Sequence, residues 1–432
     1  MMSFDLLHPR DQIEQTMARI YSREMTTTSG GNISIRDDDG SIWMTPARVD
    51  KGGLRREDIA SVDLTGKQVS GPHPPSSECP FHLEIYKARE DIKAVIHAHP
   101  SALVSFSICR QVPDVRVFPE AANICGTVSF APYALPGSAQ LGKNIAEKFR
   151  ESTDTLCVVL ENHGVVVGGS SLEDAFKRFE TLEFTAKTII RARSLGELKL
   201  LDESQITLSN NRSASLPPKE STPPTGREKE LRKVVCDFIT RAYTHKLVTS
   251  TWGSLSARID AHSFLITPTQ VDRLSLGLAD LIVIRNGAMP IGAKPSRAVR
   301  IHEAIYKAHP EVGAVINALP VHSTAFSVSD AKLDTRTIPE SFLFLKDVPK
   351  LSFETVINDT EAVANAVGPD NPVALLEHNG ALVTGRDVLD AFDRLEVLEA
   401  TAEAIIQSKP LGTIAPMSDD IIDELIQAFG RV

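Results

Sequence analysis

The feature that most constrains this chain is that it carries the same pattern twice. Residues 82–88 read His-Leu-Glu-Ile-Tyr-Lys-Ala, and residues 302–308 read His-Glu-Ala-Ile-Tyr-Lys-Ala, 220 positions later. Three more pairs of segments match at offsets between 216 and 222, namely 32–36 with 254–258, 45–46 with 267–268, and 160–164 with 376–380. Two copies are too few for a solenoid, and 432 residues exceed one ordinary core. We therefore predict two tandem globular domains.

The boundaries of these domains follow from composition. Residues 204–226 are polar and rich in proline and serine, which is typical of an extended linker. We therefore predict one domain over residues 1–203 and a second over residues 227–432. Within the first copy, helical and strand patterns alternate, which predicts a layered α/β or α+β domain whose sheet order stays open. The predicted helices cover 13–25, 81–88 and 172–193, and the predicted strands 31–36, 41–45, 93–99, 156–161 and 164–168.

The two copies differ where the first carries histidines. Residues 94–100 read Ala-Val-Ile-His-Ala-His-Pro, whereas residues 314–320 read Ala-Val-Ile-Asn-Ala-Leu-Pro. Side chains two apart in a strand share a face, so His97 and His99 can approach one metal ion. The second copy replaces this pair by Asn317 and Leu319. Because the surrounding apolar residues are kept, the difference indicates chemistry rather than packing.

His163, in Asn-His-Gly after an apolar strand, is the candidate third ligand. Three histidine ligands leave an open coordination position, which is typical of a catalytic zinc site. The aligned residue in the second copy is Asn379, although the neighbouring His378 keeps an imidazole close by.

The segment Pro-Ser-Ser-Glu that ends at Glu78 precedes the second predicted helix. Ser76 and Ser77 fit helix-capping positions, and the free N–H groups of such a helix end suit a phosphate. Glu78 could serve as a base beside a metal, or it could only favour the helix dipole. Its counterpart in the second copy is Ala298.

The glycine-rich turn before the first strand is a second candidate for anion binding. Backbone N–H groups around Gly31 and Asn32 could wrap an anion, or the glycines could only form a tight turn. The second copy places Trp252 where the first has Gly30, which would close such a pocket. His82 is kept in both copies, so we interpret it as a structural, hydrogen-bonded histidine.

Glu120 is also kept in the second copy, as Glu340. A structural role is therefore slightly favoured, while Glu120 remains a candidate substrate contact.

Bulk composition excludes several classes of function. The formal net charge of -10 provides no basic surface for nucleic acid or anionic lipid. No apolar run approaches the roughly 18 residues of a membrane span, and the N-terminus lacks the pattern of a signal peptide. The five cysteines are irregularly spaced and predict no disulfide framework. We expect a cytoplasmic location.

The combined motifs of the first copy resemble those of the class II aldolase/adducin family. They occur in the family's order as Gly-Gly-Asn-Ile-Ser (30–34), Thr-Pro (45–46), Pro-Ser-Ser-Glu (75–78), His-Ala-His (97–99), Ala-Pro-Tyr (131–133) and Asn-His-Gly (162–164). The resemblance covers the whole first copy, and residues 227–432 resemble a degenerate copy of the same domain. It implies two tandem α/β domains, each a three-layer α/β/α fold.

The resemblance also assigns roles to residues. It implies that His97, His99 and His163 bind zinc or another divalent transition metal, and that Glu78 is the fourth ligand at rest and the acid/base in turnover. Gly31, Asn32, Ser76 and Ser77 would hold a substrate phosphate, with Thr45 nearby. The implied reaction is retro-aldol cleavage of a ketose phosphate, in which zinc stabilises the enediolate.

One departure keeps the reaction open. The aldolases use a tyrosine from a neighbouring subunit at the aldehyde oxygen, and residues 112–120 contain no tyrosine but offer Arg116, Phe118 or Glu120. The alternatives are a decarboxylase or epimerase acting on a phosphorylated sugar or sugar acid, or a non-catalytic scaffold as in adducin. Because the degenerate copy would replace a neighbouring subunit, we also predict a homodimer that forms a pseudo-tetramer of domains.

Overall fold

The computed structural model describes residues 4–211, 214 and 216–430. These residues divide into two compact units. The first unit comprises residues up to Arg116 together with Glu120–Lys187. The second comprises Val117–Pro119 and the chain from Thr188 onward.

The first unit is built on a mixed sheet. Its elements are α1 (Pro9–Ser22), β1 (Asn32–Arg36), β2 (Ile42–Met44), β3 (Ala60–Val62), β4 (Gln68–Ser70), α2 (Cys79–Ala88), β5 (Ala94–Ala98), α3 (Ser101–Ile108), α4 (Pro119–Cys125), β6 (Thr127–Ala131), α5 (Ala139–Glu151), β7 (Thr155–Leu160), β8 (Val165–Gly169) and α6 (Leu172–Leu195). Within the described residues the strand order is β4-β3-β2-β1-β5-β8-β7-β6. The pair β6–β7 is parallel and the other neighbours are antiparallel. The central strands β1, β5 and β8 are the ones that position the candidate site.

Helices α2 and α5 cover one face of this sheet because their apolar stripes pack on it. Phe81 and Ile85 of α2 and Ile145 and Phe149 of α5 are buried in one cluster with sheet residues such as Val95. Alternation along a strand sends the neighbouring side chains to the opposite face.

The second unit repeats this architecture. After α7 (Glu203–Asn210) and β9 (Pro218–Lys219), its elements are α8 (Gly226–Thr244), β10 (Ser254–Asp260), β11 (Ser263–Ile266), β12 (Ile282–Arg285), β13 (Met289–Pro290), α9 (Val299–Ala308), β14 (Ala314–Ala318), α10 (Val321–Ser327), α11 (Pro339–Leu345), β15 (Lys350–Leu351), α12 (Phe353–Asn358), α13 (Thr360–Ala366), β16 (Val373–Leu376), β17 (Gly380–Gly385), α14 (Val388–Ser408) and α15 (Asp419–Phe429). Its main sheet has the order β12-β11-β10-β14-β17-β16-β15, which matches the first sheet strand for strand from β3 to β6. A separate short pair joins β13 to β9 in parallel.

Two apolar layers enclose the sheet of the second unit. Ile316 of β14 packs in one cluster with Val235 of α8 and Leu395 of α14. Its neighbour Val315 packs on the other face, in a cluster with Ile305 of α9. The unit therefore has the three-layer α/β/α fold that the sequence predicted, and the chain carries two tandem copies of it.

The register of the central strands confirms the internal alignment. Asn32 of β1 lies opposite His97 of β5, and Ser254 of β10 lies opposite Asn317 of β14. Residues that align in sequence thus occupy the same places in the two sheets.

Three expectations about local structure were wrong. Helix α1 covers Pro9–Ser22 rather than 13–25, because Pro9 suits the first turn of a helix. Residues 204–210 of the predicted extended linker belong to α7, where Asp202 and Gln205 form a capping box. Residues 212, 213 and 215 of that predicted linker lie outside the described residues. Helix α2 begins at Cys79 rather than Phe81, because Pro80 suits the first turn of a helix. Among the described residues, no helix combines the length and apolarity that a membrane crossing needs.

Candidate metal centre

His97 lies at the centre of the first sheet. It is fully buried in β5, between Asn32 on β1 and Val166 on β8. Its Nδ1 lies 2.9 Å from the carbonyl oxygen of Val165, so Nδ1 carries the proton and donates. Nε2 is then the free lone pair, and it has no hydrogen-bond partner.

His99 and His163 lie beside His97, each in a segment that follows a strand. His99 follows the last residue of β5, and its ring centroid lies 4.7 Å from that of His97. His163 follows β7 in a turn in which Asn162 has φ 53°, a left-handed conformation that asparagine tolerates well. The backbone N–H of His163 donates to Ser107 Oγ at 2.9 Å, which fixes the turn to helix α3.

The three imidazoles form a potential metal-binding group. Their ligand atoms lie within 4.8 Å of one another. Burial lowers the pKa of His97 well below its usual value and that of His99 to about 4. Burial also lowers the pKa of His163, against the opposing effect of Glu78. Neutral imidazoles at neutral pH are the form that binds a divalent metal.

Glu78 completes this group. It is the N-cap residue of α2 and is 9% exposed. Its Oε2 lies 3.3 Å from His97 Nε2, and its Oε1 lies 3.5 Å from His163 Nε2. Because α2 begins at Cys79, the structure makes Glu78 the N-cap in place of Ser76 and Ser77.

The unpaired atoms of this group fit a cation. Glu78 Oε1, His97 Nε2 and His99 Nε2 are buried and lack hydrogen-bond partners. Buried polar atoms are normally satisfied, so these three unpaired atoms are unusual. Imidazole nitrogens and carboxylate oxygens are ligands that zinc accepts.

A chain of hydrogen bonds leads from the core to Glu78. Tyr86 OH lies 2.7 Å from Ser34 Oγ, which lies 2.7 Å from His82 Nδ1. His82 Nε2 donates to Asn32 Oδ1 at 2.5 Å, and Asn32 Nδ2 donates to Glu78 Oε2 at 2.8 Å. Burial lowers the pKa of His82 to about 3, so the ring is neutral. His82 is therefore the hydrogen-bonded structural histidine that the sequence predicted, and it orients Asn32.

Glycine is required around the histidines. A Cβ on Gly30 would lie 2.9 Å from His99 Nδ1, and one on Gly164 would lie 2.7 Å from His99 Cδ2. Gly31 has φ +73°, and a Cβ there would lie 2.8 Å from the carbonyl oxygen of His97. A side chain at any of these positions would collide with the site.

The remaining predicted residues lie around this centre. Thr45 is fully buried, and its hydroxyl accepts from Ile33 N at 3.1 Å while its carbonyl oxygen accepts from Ser76 N at 3.2 Å. Ser76 Oγ accepts from Glu78 N at 3.2 Å, and Ser77 is exposed. The side chain of Asn32 is engaged by Glu78 and His82. Glu120 lies in the first turn of α4, outside the elements that hold the histidines.

The second unit keeps the hydrogen-bonded chain and lacks the candidate metal ligands. Tyr306, Ser256 and His302 repeat the hydrogen-bonded chain at 2.8 and 2.7 Å. His302 Nε2 then donates to Asn317 Oδ1 at 2.8 Å. Asn317, at the position of His97, therefore takes the part that Asn32 plays in the first unit.

His378 is not a displaced third ligand. It has φ 56°, which matches Asn162 at φ 53°, so Asn379 is the counterpart of His163. Its Nδ1 lies 2.7 Å from the carbonyl oxygen of Val117, which belongs to the same unit.

Sequence reasoning missed two features of the first unit. The hydrogen bonds from Ser34 to His82 and Tyr86 were detectable, because all three residues recur in the second copy as Ser256, His302 and Tyr306. Lys51 was also missed, although the second copy has a basic residue, Arg273, at the matching offset.

The fold and the site together define an aldolase-like class of protein, and the sequence places the chain in one family. The family model described as Class II Aldolase and Adducin N-terminal domain matches residues 11–190 and again residues 233–406. The chain therefore belongs to the class II aldolase/adducin family, with two copies of the family domain.

Proteins with similar sequences include aldolases and a decarboxylase. An L-fuculose phosphate aldolase of Methanococcus maripaludis is 34% identical over 39% of this chain and 88% of its own length. A 5-deoxy-D-ribulose 1-phosphate aldolase of Bacillus thuringiensis is 33% identical over 46% of this chain and 91% of its own. A 3-oxo-tetronate 4-phosphate decarboxylase of Pectobacterium atrosepticum is 35% identical over 44% of this chain and 86% of its own.

Proposed function

We propose that this protein is a zinc-dependent carbon–carbon lyase that cleaves a ketose phosphate by a retro-aldol reaction in its first unit. The observation that carries the proposal is that buried atoms of Glu78, His97 and His99 lack hydrogen-bond partners beside the grouped imidazoles of His97, His99 and His163. A divalent metal held by these residues would supply a Lewis acid for carbon–carbon cleavage.

Glu78 would act as the acid/base. Its carboxylate lies among the three imidazoles, within reach of a proton on a carbon or oxygen atom of the substrate. The hydrogen bond from Asn32 Nδ2 holds Oε2, which leaves Oε1 free to exchange the proton. His82 keeps Asn32 in this orientation.

The residues around Gly31, Ser76 and Ser77 would hold the phosphate of the substrate. Gly31 has a left-handed backbone next to the site, and Ser77 is exposed one residue before Glu78. The buried Thr45 joins these segments through its hydrogen bonds to Ile33 and Ser76. The substrate class is therefore a small phosphorylated sugar or sugar acid.

A second candidate is the decarboxylase reaction, which would form the same enediolate. It is favoured by the similarity to a tetronate-phosphate decarboxylase and by the lack of tyrosine in residues 112–120. An epimerase would need a further acid and base. A scaffold without activity would have no use for the unpaired donor set.

The test is a panel of ketose phosphates and phosphorylated oxo-acids, supplied to the zinc-loaded full chain. Wild-type protein is expected to release dihydroxyacetone phosphate from a ketose phosphate, and Glu78→Ala is expected to lose activity while folding normally. The second unit has Ala298 at the equivalent position of the same fold, so alanine at position 78 is expected to be compatible with folding. Glu147→Ala, at an exposed carboxylate of α5, is the matched control. Release of carbon dioxide alone would favour the decarboxylase, and no turnover of any compound would contradict the proposal.

The homodimer predicted from the sequence stays a prediction. Light scattering is expected to give twice the chain mass of 47.0 kDa. The mass of a single chain would contradict it.

A further inference from the structure

Lys51 is a buried cation without a counter-ion. It is 3% exposed, its Nζ donates to the carbonyl oxygen of Pro46 at 2.9 Å, and its backbone N–H donates to Thr28 O at 2.8 Å. Among the described residues, no carboxylate pairs with it, and burial lowers its pKa to about 8. An ammonium group has three donors, and an uncompensated buried charge is costly. This lysine therefore has unused capacity to bind an anion.

The equivalent residue of the second unit indicates which groups surround the Lys51 side chain. Arg273 occupies the equivalent position, and its backbone N–H donates to Ser250 O just as that of Lys51 donates to Thr28 O. The Arg273 guanidinium donates to Pro268 O at 3.0 Å and to Gly253 O at 2.7 Å.

Pro268 and Gly253 correspond to Pro46 and Gly31 of the first unit. The Lys51 side chain thus enters the region between the Pro46 turn and the glycine-rich loop, where its Nζ contacts the Pro46 carbonyl oxygen.

The same region offers further groups for an anion. Pro46 bridges to Pro75, and Ser76 N donates to Thr45 O, so the turn is joined to the segment before Glu78. On the loop side, Thr26 Oγ1 is buried without a partner, and it would lie 3.0 Å from a Cβ on Gly31. A buried cation and an unpaired hydroxyl therefore border the glycine-rich loop.

We propose that the Lys51 ammonium is the charged contact for the phosphate monoester of the substrate. This inference rests on the proposed function, since it names the group that neutralises the substrate anion at the same site. In the second unit, the two terminal nitrogens of the Arg273 guanidinium donate to backbone carbonyls and fill the equivalent space. Loss of anion binding there accompanies loss of the metal ligands.

Inorganic phosphate binding to the zinc-loaded full chain, measured by calorimetry, tests the inference. Lys51→Met is expected to weaken binding at least about tenfold, because a charge-assisted contact is lost. Zinc content is expected to stay unchanged. Lys143→Met, which removes an exposed lysine of α5, is the matched control and should bind as wild type. Equal phosphate affinity in wild type and Lys51→Met, or no phosphate binding by wild type, would overturn the inference.

Lys51→Arg keeps the test decisive if the methionine variant fails to fold, because Arg273 shows that arginine fits this position. Phosphate is a dianion above about pH 7.5, so the affinity of wild type should fall as Lys51 loses its proton between about pH 7.5 and 9.5. The Lys51 ammonium contacts the carbonyl oxygen of Pro46, and burial is what lowers its pKa to about 8, while the carboxylate of the adjacent Asp50 accepts from Gly52 N. Lys51→Arg should weaken phosphate binding across this pH range, because the guanidinium should fill the space as that of Arg273 does in the second unit. Wild-type affinity in Lys51→Arg would overturn the inference.

The outcome is independent of turnover. Phosphate binding that depends on Lys51, without cleavage of any substrate, would leave the inference standing and refute the proposed reaction. Substrate turnover together with phosphate binding that does not depend on Lys51 would support the proposed reaction and refute the inference.

Discussion

The side-chain amide of Asn32 donates to Oε2 of Glu78 at 2.8 Å while its carbonyl oxygen accepts from a buried histidine, His82. A single amide thus links the candidate acid/base to the core. In the second unit the equivalent histidine, His302, is satisfied by Asn317 from the adjacent strand. The second unit thus keeps the hydrogen bond that satisfies the buried histidine. It lacks the hydrogen bond to Glu78, whose counterpart is Ala298.

Asn32→Ser, which copies Ser254 of the second unit, is expected to lower kcat about tenfold or more. The variant loses a charge-assisted hydrogen bond, typically worth about 1.5–3 kcal/mol. It also replaces the close acceptor of the His82 Nε2 proton by a hydroxyl, which in the second unit lies 3.4 Å from His302 Nε2, so the melting temperature should fall. Steady-state kinetics and thermal unfolding check both effects. Wild-type kcat in this variant would show that Asn32 does not orient Glu78.

The double variant Asn32→Ser with His97→Asn reproduces the pair found in the second unit. In metal-free buffer it should melt above Asn32→Ser alone, because the new asparagine can accept from His82 as Asn317 does from His302. It should bind no zinc. If the double variant melted below both single variants, an asparagine at position 97 would not replace Asn32 as the acceptor for His82.

Gly30→Ala is expected to weaken zinc binding roughly tenfold or more, since displaced ligand support costs that much in other sites. The new Cβ would lie 2.9 Å from His99 Nδ1, so the ring must move. Gly226→Ala is the control, because nothing lies within 4 Å of a Cβ at that exposed position. Zinc competition with a chromogenic chelator measures both variants. Equal affinities would show that His99 tolerates displacement.

Much of the fold could be predicted because the duplication presents each element in two related sequences. Strand alternation predicted that the side chains of His97 and His99 lie together, and their ring centroids are 4.7 Å apart although the strand ends at Ala98. The helix predicted over 81–88 begins two residues earlier, at Cys79, because Pro80 is compatible with the first turn of a helix although proline breaks a helical pattern elsewhere. Sheet order could not be predicted, since Asn32 of β1 pairs with His97 of β5, far along the chain, and no local pattern encodes that pairing.

The candidate site was predictable as a set of groups, and its supporting contacts were not. Comparison of the copies pointed to Glu78 and the histidines, because reactive groups vanish from the second copy together. It could not show that Asn32 faces Glu78 or that Lys51 is buried. Those facts depend on register and on side-chain direction, which become visible only when the strands are assembled.

Acid is expected to destabilise the protein through its buried histidines. The pKa of His302 is lowered by burial to about 4, whereas an unfolded chain would have about 6.5. The unfolded state therefore binds more protons between these values, and stability falls as pH drops from 6.5 toward 4. Each such group contributes about 1.4 kcal/mol per pH unit within that window.

Urea unfolding at pH 7, 6 and 5 checks this prediction, with His302→Gln as the comparison. In the variant, the free energy of unfolding should depend less steeply on pH. The reduction in slope should correspond to about one proton. A stability that is flat from pH 7 to 5 would show that the histidines are not held neutral.

Zinc content of the purified full-length protein tests the central claim most directly. We predict about one zinc per chain, bound in the first unit. His99→Ala should lose it, and His262→Ala, which removes an exposed histidine of the second unit, should keep it. A wild-type chain that neither contains nor takes up zinc, or a His99→Ala variant that retains it, would contradict the account.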